Sequence, residues 1–356
     1  MTATGIRLMY WPNEPAHLYP GFSQAGGRAA FQSLCNDGTI AVLDIYSYRV
    51  ERARFPSAVE FERSAIEAIR TFDPDVLFVQ HVWGTDVSED FWRCLRQEMP
   101  GITLVFHEAD PFDRRVKRID TATIAILRHA HLVLACGLGT LADILGEYSD
   151  GPIGYLPHCF VKSRFAVLNP ARAEKKHDIV MIGNRGNRKK LKWLYVPGGK
   201  RRAQLAERLS ETFGTRFALY GMGWSKLTAA RGSLPFFEQE QAIQSARITA
   251  NWDHFDKIDY YYSDRLPISL AAGVPHVTTH HVGYDHVFAD CPGLYSCKTI
   301  DEAVETCRWL LSRSDKDLLE EGLAAKTWVF ANMEADVVFR RGFEQAAAAH
   351  RARTSS

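Results

Sequence analysis

The sequence lacks the features that mark membrane, secreted or nucleic-acid-binding proteins. No apolar run reaches the roughly 18 to 20 residues that a membrane-spanning helix needs. The amino terminus has no basic flank followed by an apolar stretch, so we expect no signal peptide. Basic and acidic residues nearly balance at 43 and 42, which leaves a net charge of +1. The overall charge therefore favours neither a nucleic acid nor a membrane as a partner, and we expect a cytoplasmic location.

Cysteine is also used in a way that excludes two classes of small protein. The seven cysteines are odd in number and far apart, and none forms a CxxC pair. A disulfide framework or a structural zinc site needs closer, paired spacing. Cys136 lies in the apolar run HLVLAC, where cysteine usually serves as a small core residue. We expect free thiols in a reducing compartment.

What the chain does have is a regular alternation of apolar runs and amphipathic stretches over 356 residues. The hydrophobic fraction of 46% and charged fraction of 24% are those of a folded globular protein. Runs that are apolar throughout favour strands buried on both faces, hence parallel sheets joined by helices. The predicted strands are Ile6–Trp11, Ile40–Tyr46, Val76–Trp83, Ile102–His107, Leu132–Cys136, Ile153–Pro157, Asp178–Ile182, Phe217–Tyr220, Ile248–Asn251, Pro275–Thr278 and Leu294–Ser296.

A polar stretch from 161 to 176 interrupts this alternation and predicts a domain boundary. We expect a first Rossmann-like domain over residues 1–165 and a second over residues 171–325. Residues 326–356 read as carboxy-terminal helices that cross back to the first domain. The predicted fold class is therefore α/β, with two doubly wound domains.

The strongest local signal is DIVMIGNRGNRKKLK, residues 178–192, in which a buried strand ends at Gly183 and a basic run follows. Glycine permits close approach of the backbone to a ligand, and open α/β sheets bind ligands beyond the carboxyl ends of their strands. Arginine pairs with phosphate oxygens through two hydrogen bonds, so a diphosphate is the anion that this stretch suits. A solvated loop with scattered charges is the competing interpretation.

Two further stretches point to the same edge of the second sheet. In YYYSDRLPISLAAGVPHVTT, residues 260–279, Ser263 is a candidate N-cap, and Gly273 ends a short helix whose first turn carries Arg265. Such a helix start is an anion site or simply a well-capped helix. In FALYGMGWSKL a strand runs into Gly221-x-Gly223-Trp224, which is the wrong spacing for a dinucleotide fingerprint. It forms either a close-approach loop beside a nucleotide base or an ordinary tight turn.

Taken in order, these stretches resemble the carboxy-terminal domain of GT-B glycosyltransferases, and most closely the spore-protein-like (CgeB-type) group. The matching elements span about 150 residues: IGNRGNRKK, LYGMGW, ARITANW, YYSDRLPISLAAGVPHVT and GLYSCKTIDEAV. The resemblance implies two domains facing across a cleft, a nucleotide-diphosphate-sugar as co-substrate, no other cofactor and no metal ion. It favours retention of anomeric configuration. It also implies donor-binding residues: Gly183, Arg185, Arg188, Lys189, Lys190, Gly221, Gly223, Trp224, Tyr262, Ser263, Asp264 and Arg265.

One position departs from the family pattern. Members of the family commonly have a ribose-binding glutamate five residues before the helix-ending glycine, and this chain has Ile268 there. Isoleucine cannot accept hydrogen bonds from ribose hydroxyls. Either Asp264 or another group takes this role, or the nucleotide is held differently.

The amino-terminal half matches the family less closely and is the expected acceptor side. Gly26 and Gly27 resemble the glycine-rich loop that follows the first strand and faces the cleft. FHEADPFDRR brings His107, Asp110 and Asp113 to the end of a buried strand, where one of them could take the proton of an acceptor hydroxyl. A strand-end histidine is also a common structural residue. His81 and His158 end strands too, and they rank below His107.

Several other functions remain open from the sequence. The pair His280–His281 suggests a metal, but neighbouring residues on a strand point to opposite faces, which is poor ligand geometry. The alternatives to sugar transfer are a GT-B-type nucleotide-sugar epimerase, a sugar phosphorylase and a non-enzymatic anionic-ligand binder. A further alternative treats residues 185–202 as a basic patch for nucleic acid or anionic membranes. The prediction favoured here is transfer of a sugar to a hydroxyl of a small-molecule or glycan acceptor.

Overall fold

The computed structural model describes residues 5–14, 25–165, 168–186 and 194–355. The chain forms two compact units. The first comprises Met1–Pro157 with Ala335–Ser356, and the second comprises His158–Glu334. Among the described residues, none of the helices combines the length and the apolar character needed to cross a membrane.

The first unit is built on a six-stranded sheet in the order β2-β1-β3-β4-β5-β6, and every pairing is parallel. Its strands are β1 Arg7–Trp11, β2 Val42–Ile45, β3 Val76–Gln80, β4 Thr103–Glu108, β5 Leu132–Ala135 and β6 Ile153–Tyr155. The helices between them are α1 Ala25–Asn36, α2 Tyr48–Arg52, α3 Ala58–Phe72, α4 Glu89–Glu98, α5 Thr121–Leu127 and α6 Thr140–Gly146.

The second unit repeats this plan in the order β12-β11-β10-β7-β8-β9, again with parallel pairings. Its strands are β7 His177–Ile182, β8 Phe217–Tyr220, β9 Ala230–Gly232, β10 Ala246–Ala250, β11 His276–Thr279 and β12 Leu294–Cys297. Its helices are α7 Gly199–Phe213, α8 Gln239–Gln244, α9 Arg265–Ala271, α10 Tyr284–Val287, α11 Ile300–Ser312 and α12 Asp315–Asn332. Two doubly wound parallel sheets confirm the predicted fold class.

The last helix, α13 Ala335–Thr354, belongs to the first unit, where it packs against α1, β3 and β4. Local sequence explains why the helices begin where they do. The Ser57 hydroxyl accepts the Glu60 N–H at the start of α3, and Thr299 caps α11 in the same way through Glu302. Each capping bond satisfies one of the free N–H groups of a first helical turn.

The second unit begins earlier and ends later than the sequence predicted, at His158 and Glu334 in place of 171 and 325. The polar stretch contains apolar residues that contribute to the second core. Phe160 and Phe165 are buried in one cluster with Ile268, Val329 and Met333. Burial of these side chains assigns the connecting segment and the whole of α12 to the second unit.

Each sheet has one switch point, where the strand order reverses. In the second unit it lies between β7 and β10, and in the first unit between β1 and β3. Ligands of open α/β sheets bind at the carboxyl ends of the strands that flank such a point. Ligand-binding residues are therefore expected at these two edges.

Candidate functional site

The carboxyl end of β7 in the second unit is held close to the end of β8. The Gly183 carbonyl accepts the indole N–H of the buried Trp224 at 2.7 Å, and the Gly183 N–H donates to the Tyr220 carbonyl at 2.9 Å. Gly221 has a φ of +129°, and a Cβ there would lie 2.3 Å from the Gly183 carbonyl oxygen. Only glycine fits this crossing of two backbones.

The loops that follow these two strands are joined by further hydrogen bonds. The Asn184 side-chain oxygen accepts the Met222 N–H at 2.8 Å, and the Arg185 N–H donates to the Met222 carbonyl at 3.0 Å. The structure thus brings together four residues that the sequence predicted separately: Gly183, Arg185, Gly221 and Trp224. Gly223, with a φ of +92°, lies in the same loop.

Two guanidinium groups lie beside Gly183. A Cβ on Gly183 would be 3.4 Å from Nη1 of Arg202 and 3.5 Å from Nε of Arg265. Arg202 comes from the second turn of α7 and is only 2% exposed, with Nε donating to the Trp252 carbonyl. Arg265 begins α9, and its Nε donates to the Ile182 carbonyl at 2.8 Å. Backbone carbonyls hold both side chains at the switch point.

The charge of Arg202 is not neutralised by a carboxylate ion pair within the described part of the chain. Burial first, and then the positive charge of Arg265, lower the pKa of the Arg202 guanidinium to about 9, although Asp253 acts in the opposite direction. A buried cation beside a second cation is costly unless an anion joins them. The arrangement is suited to a ligand that carries at least one negative charge.

Sequence reasoning missed Arg202, although a signal was present. In α7 the inward-facing residues Gly199, Ala206, Leu209 and Phe213 recur at helical spacing, and Arg202 falls on the same face. An arginine on the buried stripe of an amphipathic helix needs a specific partner or function. The basic residues predicted instead lie outside the described residues: Arg188, Lys189 and Lys190.

Arg185, the described member of that basic run, is engaged elsewhere. Its guanidinium contacts Glu207 at 3.1 Å and the Tyr195 hydroxyl at 3.2 Å, and lies 5.7 Å from the Trp224 ring centroid. These contacts anchor the loop after β7 to α7. Of the eight basic residues in the 185–202 alternative patch, four lie outside the described residues: Arg188, Lys189, Lys190 and Lys192.

A buried polar network supports the loop between β10 and α9. The Asp253 carboxylate accepts hydrogen bonds from Ser263 Oγ and Asn251 Nδ2, both at 2.7 Å, and His281 Nε2 lies 3.4 Å from its other oxygen. Burial by itself would raise the pKa of Asp253, but the His281 ring, Ser263 and Arg202 together lower it to about 2. The network fixes the chain just before Arg265.

This network corrects the predicted role of Ser263. The structure starts α9 at Arg265 with Asp264 in the cap position, and Ser263 donates to Asp253 in place of capping the helix. Tyr262 is also structural, since its buried ring packs on Phe288 and its hydroxyl donates to the His158 carbonyl at 2.9 Å. Asp264 is partly exposed and forms an ion pair with Arg265 at 3.4 Å.

Replacing Asp253 with Asn is expected to destabilise the protein by about 2 kcal/mol at neutral pH. The pKa of about 2 in the folded protein lies below the ordinary aspartate value of 3.8. The stabilisation is therefore present above pH 4 and is lost as the pH falls toward 2. Urea unfolding gives the free energies of unfolding of wild type and Asp253→Asn. These two values should converge as the pH falls from 5 to 2.5. The exposed control Glu320→Gln should have the same free energy of unfolding as wild type at each pH. A difference between Asp253→Asn and wild type that does not change with pH would contradict the assignment.

Ile268, where the resemblance implied a ribose-binding glutamate, faces the core. It is buried in the cluster that contains Ile243 and Leu266. It also lines a cavity of about 20 Å³ together with Asn251, Arg265 and His276. A cavity of this size holds at most one water molecule. Position 268 therefore offers a nucleotide no hydrogen-bond acceptor.

In the first unit, His107 lies within β4 and not at its end. Its side chain is 4% exposed, and its ring centroid lies 6.2 Å from that of Phe78 and 6.0 Å from that of Phe339. Strand β4 continues to Glu108, one residue beyond the predicted end. The surroundings of His107 are those of a core residue, so we give it no chemical step.

The two aspartates of this stretch organise the loop after β4. Asp113 Oδ1 accepts the N–H groups of Arg115 and Val116, both at 2.5 Å, which closes a tight turn. Asp110 is partly exposed and pairs with Lys117 Nζ at 2.6 Å. Of the two, Asp110 has the carboxylate that solvent reaches.

A histidine and a glutamate form a buried pair at the switch point of the first unit. His81 follows β3 directly, and its Nδ1 lies 2.6 Å from Glu108 Oε1. Glu108 is fully buried, and its Oε1 also accepts the Asp110 N–H at 2.9 Å. Burial would lower the pKa of His81, but the charge of Glu108 and its hydrogen bond raise it above the ordinary value. The predicted strand through Trp83 stops at Gln80, because His81 has a φ of +45°.

Of the glycine pair in the first unit, Gly27 has a packing role in the structure. Gly26 and Gly27 lie in the first turn of α1. A Cβ on Gly27 would lie 2.2 Å from the Tyr10 hydroxyl and 2.9 Å from the Phe339 ring. Glycine is required here for close packing of α1 on β1 and α13.

The histidine pair at 280–281 is held by protein groups. His280 Nδ1 lies 3.1 Å from Ser296 Oγ, and His281 Nδ1 lies 2.8 Å from the Ile258 carbonyl. Within the described ranges, no group of three or more His, Cys, Asp or Glu side chains is arranged to hold a metal ion.

Comparisons with known proteins agree with this architecture. Residues 201–352 match the model of the glycosyl transferase-like family. No curated protein matches the chain significantly. The glycosyltransferase AviGT4, involved in avilamycin A biosynthesis, is similar to it with 12% identity and a TM-score of 0.58 over 98% of each chain.

Two further solved structures share the architecture. HepE from Anabaena in complex with UDP has 10% identity and a TM-score of 0.60, over 96% of this chain and 100% of its own. HepE is also solved with UDP-glucose. Sucrose-phosphate synthase from Thermosynechococcus elongatus has 14% identity and a TM-score of 0.55 over 82% of this chain and 79% of its own. At these identities the likeness shows the fold. The chain has the two-domain GT-B fold.

Proposed function

We propose that this chain is a glycosyltransferase that moves a sugar from a nucleotide-diphosphate-sugar to an acceptor hydroxyl. The observation that carries the proposal is the pair of guanidinium groups at Gly183, one of them buried. They lie at the switch point of the second sheet, where such folds bind ligands. The match of residues 201–352 to the glycosyl transferase-like family supports it.

The charge of the site suits a diphosphate. Arg202 and Arg265 supply two positive charges, and a nucleoside diphosphate esterified to a sugar carries two negative charges. When the bond between the anomeric carbon and the phosphate oxygen breaks, additional negative charge develops on the leaving diphosphate. Fixed cations that stabilise this charge lower the barrier without having to reorganise. We propose that these two guanidinium groups take the place of a metal ion.

Of the neighbouring residues, one would contact the ligand and the others would shape or support the site. We propose that the partly exposed Asp264 accepts the ribose hydroxyls that Ile268 cannot bind, since it lies at the start of the same helix. Gly183 and Gly221 keep side chains away from the diphosphate. Asp253 and Ser263 hold the loop before Arg265 in place.

A thermal-shift screen against UDP-, GDP-, ADP- and dTDP-sugars tests the proposal. A ligand at 100 times its dissociation constant stabilises the folded state by about 2.7 kcal/mol, which corresponds to a rise of several degrees in Tm. We expect one nucleotide family to give such a shift, with the same value in EDTA. UDP-glucose is the first ligand to test, because HepE, which shares the fold, binds it.

The screen is followed by an assay of nucleotide release from the selected donor, with water or added glycans as acceptors. Absence of any shift at millimolar ligand, or a shift that requires Mg²⁺, would refute the proposal as stated. A ligand-induced rise in Tm without nucleotide release in the presence of any acceptor would show that the chain is a binding protein and not a transferase.

A further inference from the structure

We propose that the first unit binds an acidic group of the acceptor, either a carboxylate or a phosphate monoester, through Arg49. The inference rests on the proposed sugar transfer, and it names the chemical class of the molecule that receives the sugar. A cavity in the first unit carries it, together with the charge of the arginine that lines this cavity.

The cavity lies at the carboxyl edge of the first sheet. It is open to solvent and has a volume of about 420 Å³, within the range of about 300 to 1,000 Å³ that is typical of small-molecule sites. One wall is α2, which follows β2, and the other is the loop from Gly84 to Val87, which follows β3. Both segments leave the carboxyl ends of parallel strands, which is the edge where open α/β sheets bind ligands.

The walls of this cavity carry one positive charge that no protein carboxylate neutralises. Three of the lining residues are charged: Arg49, Arg52 and Asp86. Arg52 and Asp86 neutralise each other, with Nε at 3.0 Å from Oδ1 and Nη2 at 2.6 Å from Oδ2. Arg49 forms no ion pair with a carboxylate in the described part of the chain. The cavity is therefore left with a net charge of +1.

A neutral oxygen holds Arg49 in position. Its Nη1 donates to the side-chain oxygen of Asn13 at 2.5 Å, and Asn13 is only 4% exposed in the segment that follows β1. An amide oxygen orients the guanidinium without cancelling its charge, and the other N–H donors of the group stay available for a ligand. The second unit uses the same arrangement, because backbone carbonyls hold Arg202 and Arg265 beside Gly183.

A sugar acid or a sugar phosphate suits these walls better than a neutral sugar does. The planar guanidinium of Arg49 can donate two parallel hydrogen bonds to a carboxylate or to a phosphate. Thr85, another lining residue, donates its hydroxyl hydrogen to the Val82 carbonyl at 2.8 Å. The hydroxyl oxygen of Thr85 can therefore still accept a hydrogen bond from a sugar hydroxyl.

Glucose, glucuronate and glucose 6-phosphate serve as probes, because they differ only at the sixth carbon. Ligand-observed NMR titration of the full chain at low salt gives a Kd for each probe. We expect at least one of the two anions to bind at least 10-fold more tightly than glucose, which corresponds to about 1.4 kcal/mol. A preference for glucuronate identifies the acidic group as a carboxylate, and a preference for glucose 6-phosphate identifies it as a phosphate. Two anions that bind no better than glucose would overturn the proposal.

Arg49→Met removes the charge and keeps much of the length of the side chain. Its affinity for the preferred anion should fall to the affinity for glucose. Arg54→Met is the matched control, since Arg54 lies two residues beyond α2, pairs with Glu51 and does not line the cavity. It should bind the anion as wild type does. Arg202→Met should also retain this affinity, which excludes binding of the anion at the second unit.

Arg49→Lys decides the question if Arg49→Met does not fold. Lysine keeps the charge and lacks the two-pronged geometry of the guanidinium. An affinity for the anion that is at least threefold weaker than that of wild type, with the affinity for glucose unchanged, supports the proposal. An unchanged affinity for the anion overturns it.

Nucleotide release from the selected donor separates this proposal from the proposed function. With the preferred anion as acceptor, kcat/KM should be at least 10-fold higher than with glucose. Equal values would overturn the assignment of the anion as acceptor and leave sugar transfer intact. If the anion binds through Arg49 but no nucleotide-sugar is bound or cleaved, the proposed function fails, and with it the role of the anion as acceptor.

Discussion

Arg202→Met is expected to weaken nucleoside-diphosphate binding at least 100-fold, equivalent to about 2.7 kcal/mol. Arg202 is the buried cation at Gly183, and hydrogen bonds to charged groups contribute about 1.5 to 3 kcal/mol each. Methionine keeps much of the length of the side chain and removes the charge. Isothermal titration with the nucleoside diphosphate of the selected donor measures the effect.

The stability of the unliganded variant separates this role from a structural one. Burial lowers the pKa of Arg202 and Arg265 repels it, so removing the charge relieves a cost. The lost hydrogen bonds to the Trp252 and Asn184 carbonyls act in the opposite direction. We expect a Tm within a few degrees of wild type, as found when buried charges are replaced by apolar groups. An arginine retained purely for stability would instead give a large drop in Tm.

Arg208→Met is the matched control on the same helix. Arg208 lies almost two turns further along α7, is half exposed and pairs with Asp301 at 2.9 Å. Exposed ion pairs contribute little to stability, and this one lies away from Gly183. Its nucleotide affinity should equal that of wild type. Equal affinity of Arg202→Met and Arg208→Met would remove Arg202 from the site.

The sheets could be predicted from the sequence because their signal is local. Strands buried on both faces, such as β3 and β4, are apolar at nearly every position, and this pattern needs no knowledge of distant residues. The short edge strand Ala230–Gly232 was missed because its three residues, ARG, carry no such pattern. The boundary of the second unit was misplaced because two buried phenylalanines, Phe160 and Phe165, stand in an otherwise polar segment.

The parts of the site that contain strand-ending glycines could be predicted from the sequence. The parts that depend on packing between distant segments could not. Gly183 and Gly221 end strands, so a close approach of backbones could be inferred at each. The buried cation beside Gly183 comes from α7, nineteen positions later in the chain. Its place on the apolar face of that helix is a local signal, but only the fold shows that Arg202 reaches Gly183. In the first unit, His107 and His81 both lie near strand ends in sequence. Only the structure shows that one ring packs on phenylalanines and the other contacts a buried carboxylate.

Gly221→Ala is expected to destabilise the protein by roughly 3 kcal/mol or more and to abolish donor binding. Alanine is strained at a φ of +129°, and its Cβ would lie 2.3 Å from the Gly183 carbonyl oxygen. Since that contact is with backbone, the ends of β7 and β8 must move apart. Gly183 would then shift relative to Arg202 and Arg265.

Gly214→Ala provides the matched control within the same unit. Gly214 also has a positive φ, +57°, but a Cβ there meets nothing within 4 Å. Alanine at this position costs only the local backbone penalty of about 1 to 3 kcal/mol. Urea unfolding and thermal shifts with the donor measure both variants. If the crossing at Gly183 positions the diphosphate, Gly214→Ala keeps the ligand-induced shift and Gly221→Ala loses it. Equal stability and equal shifts in the two variants would show that the crossing does not support the site.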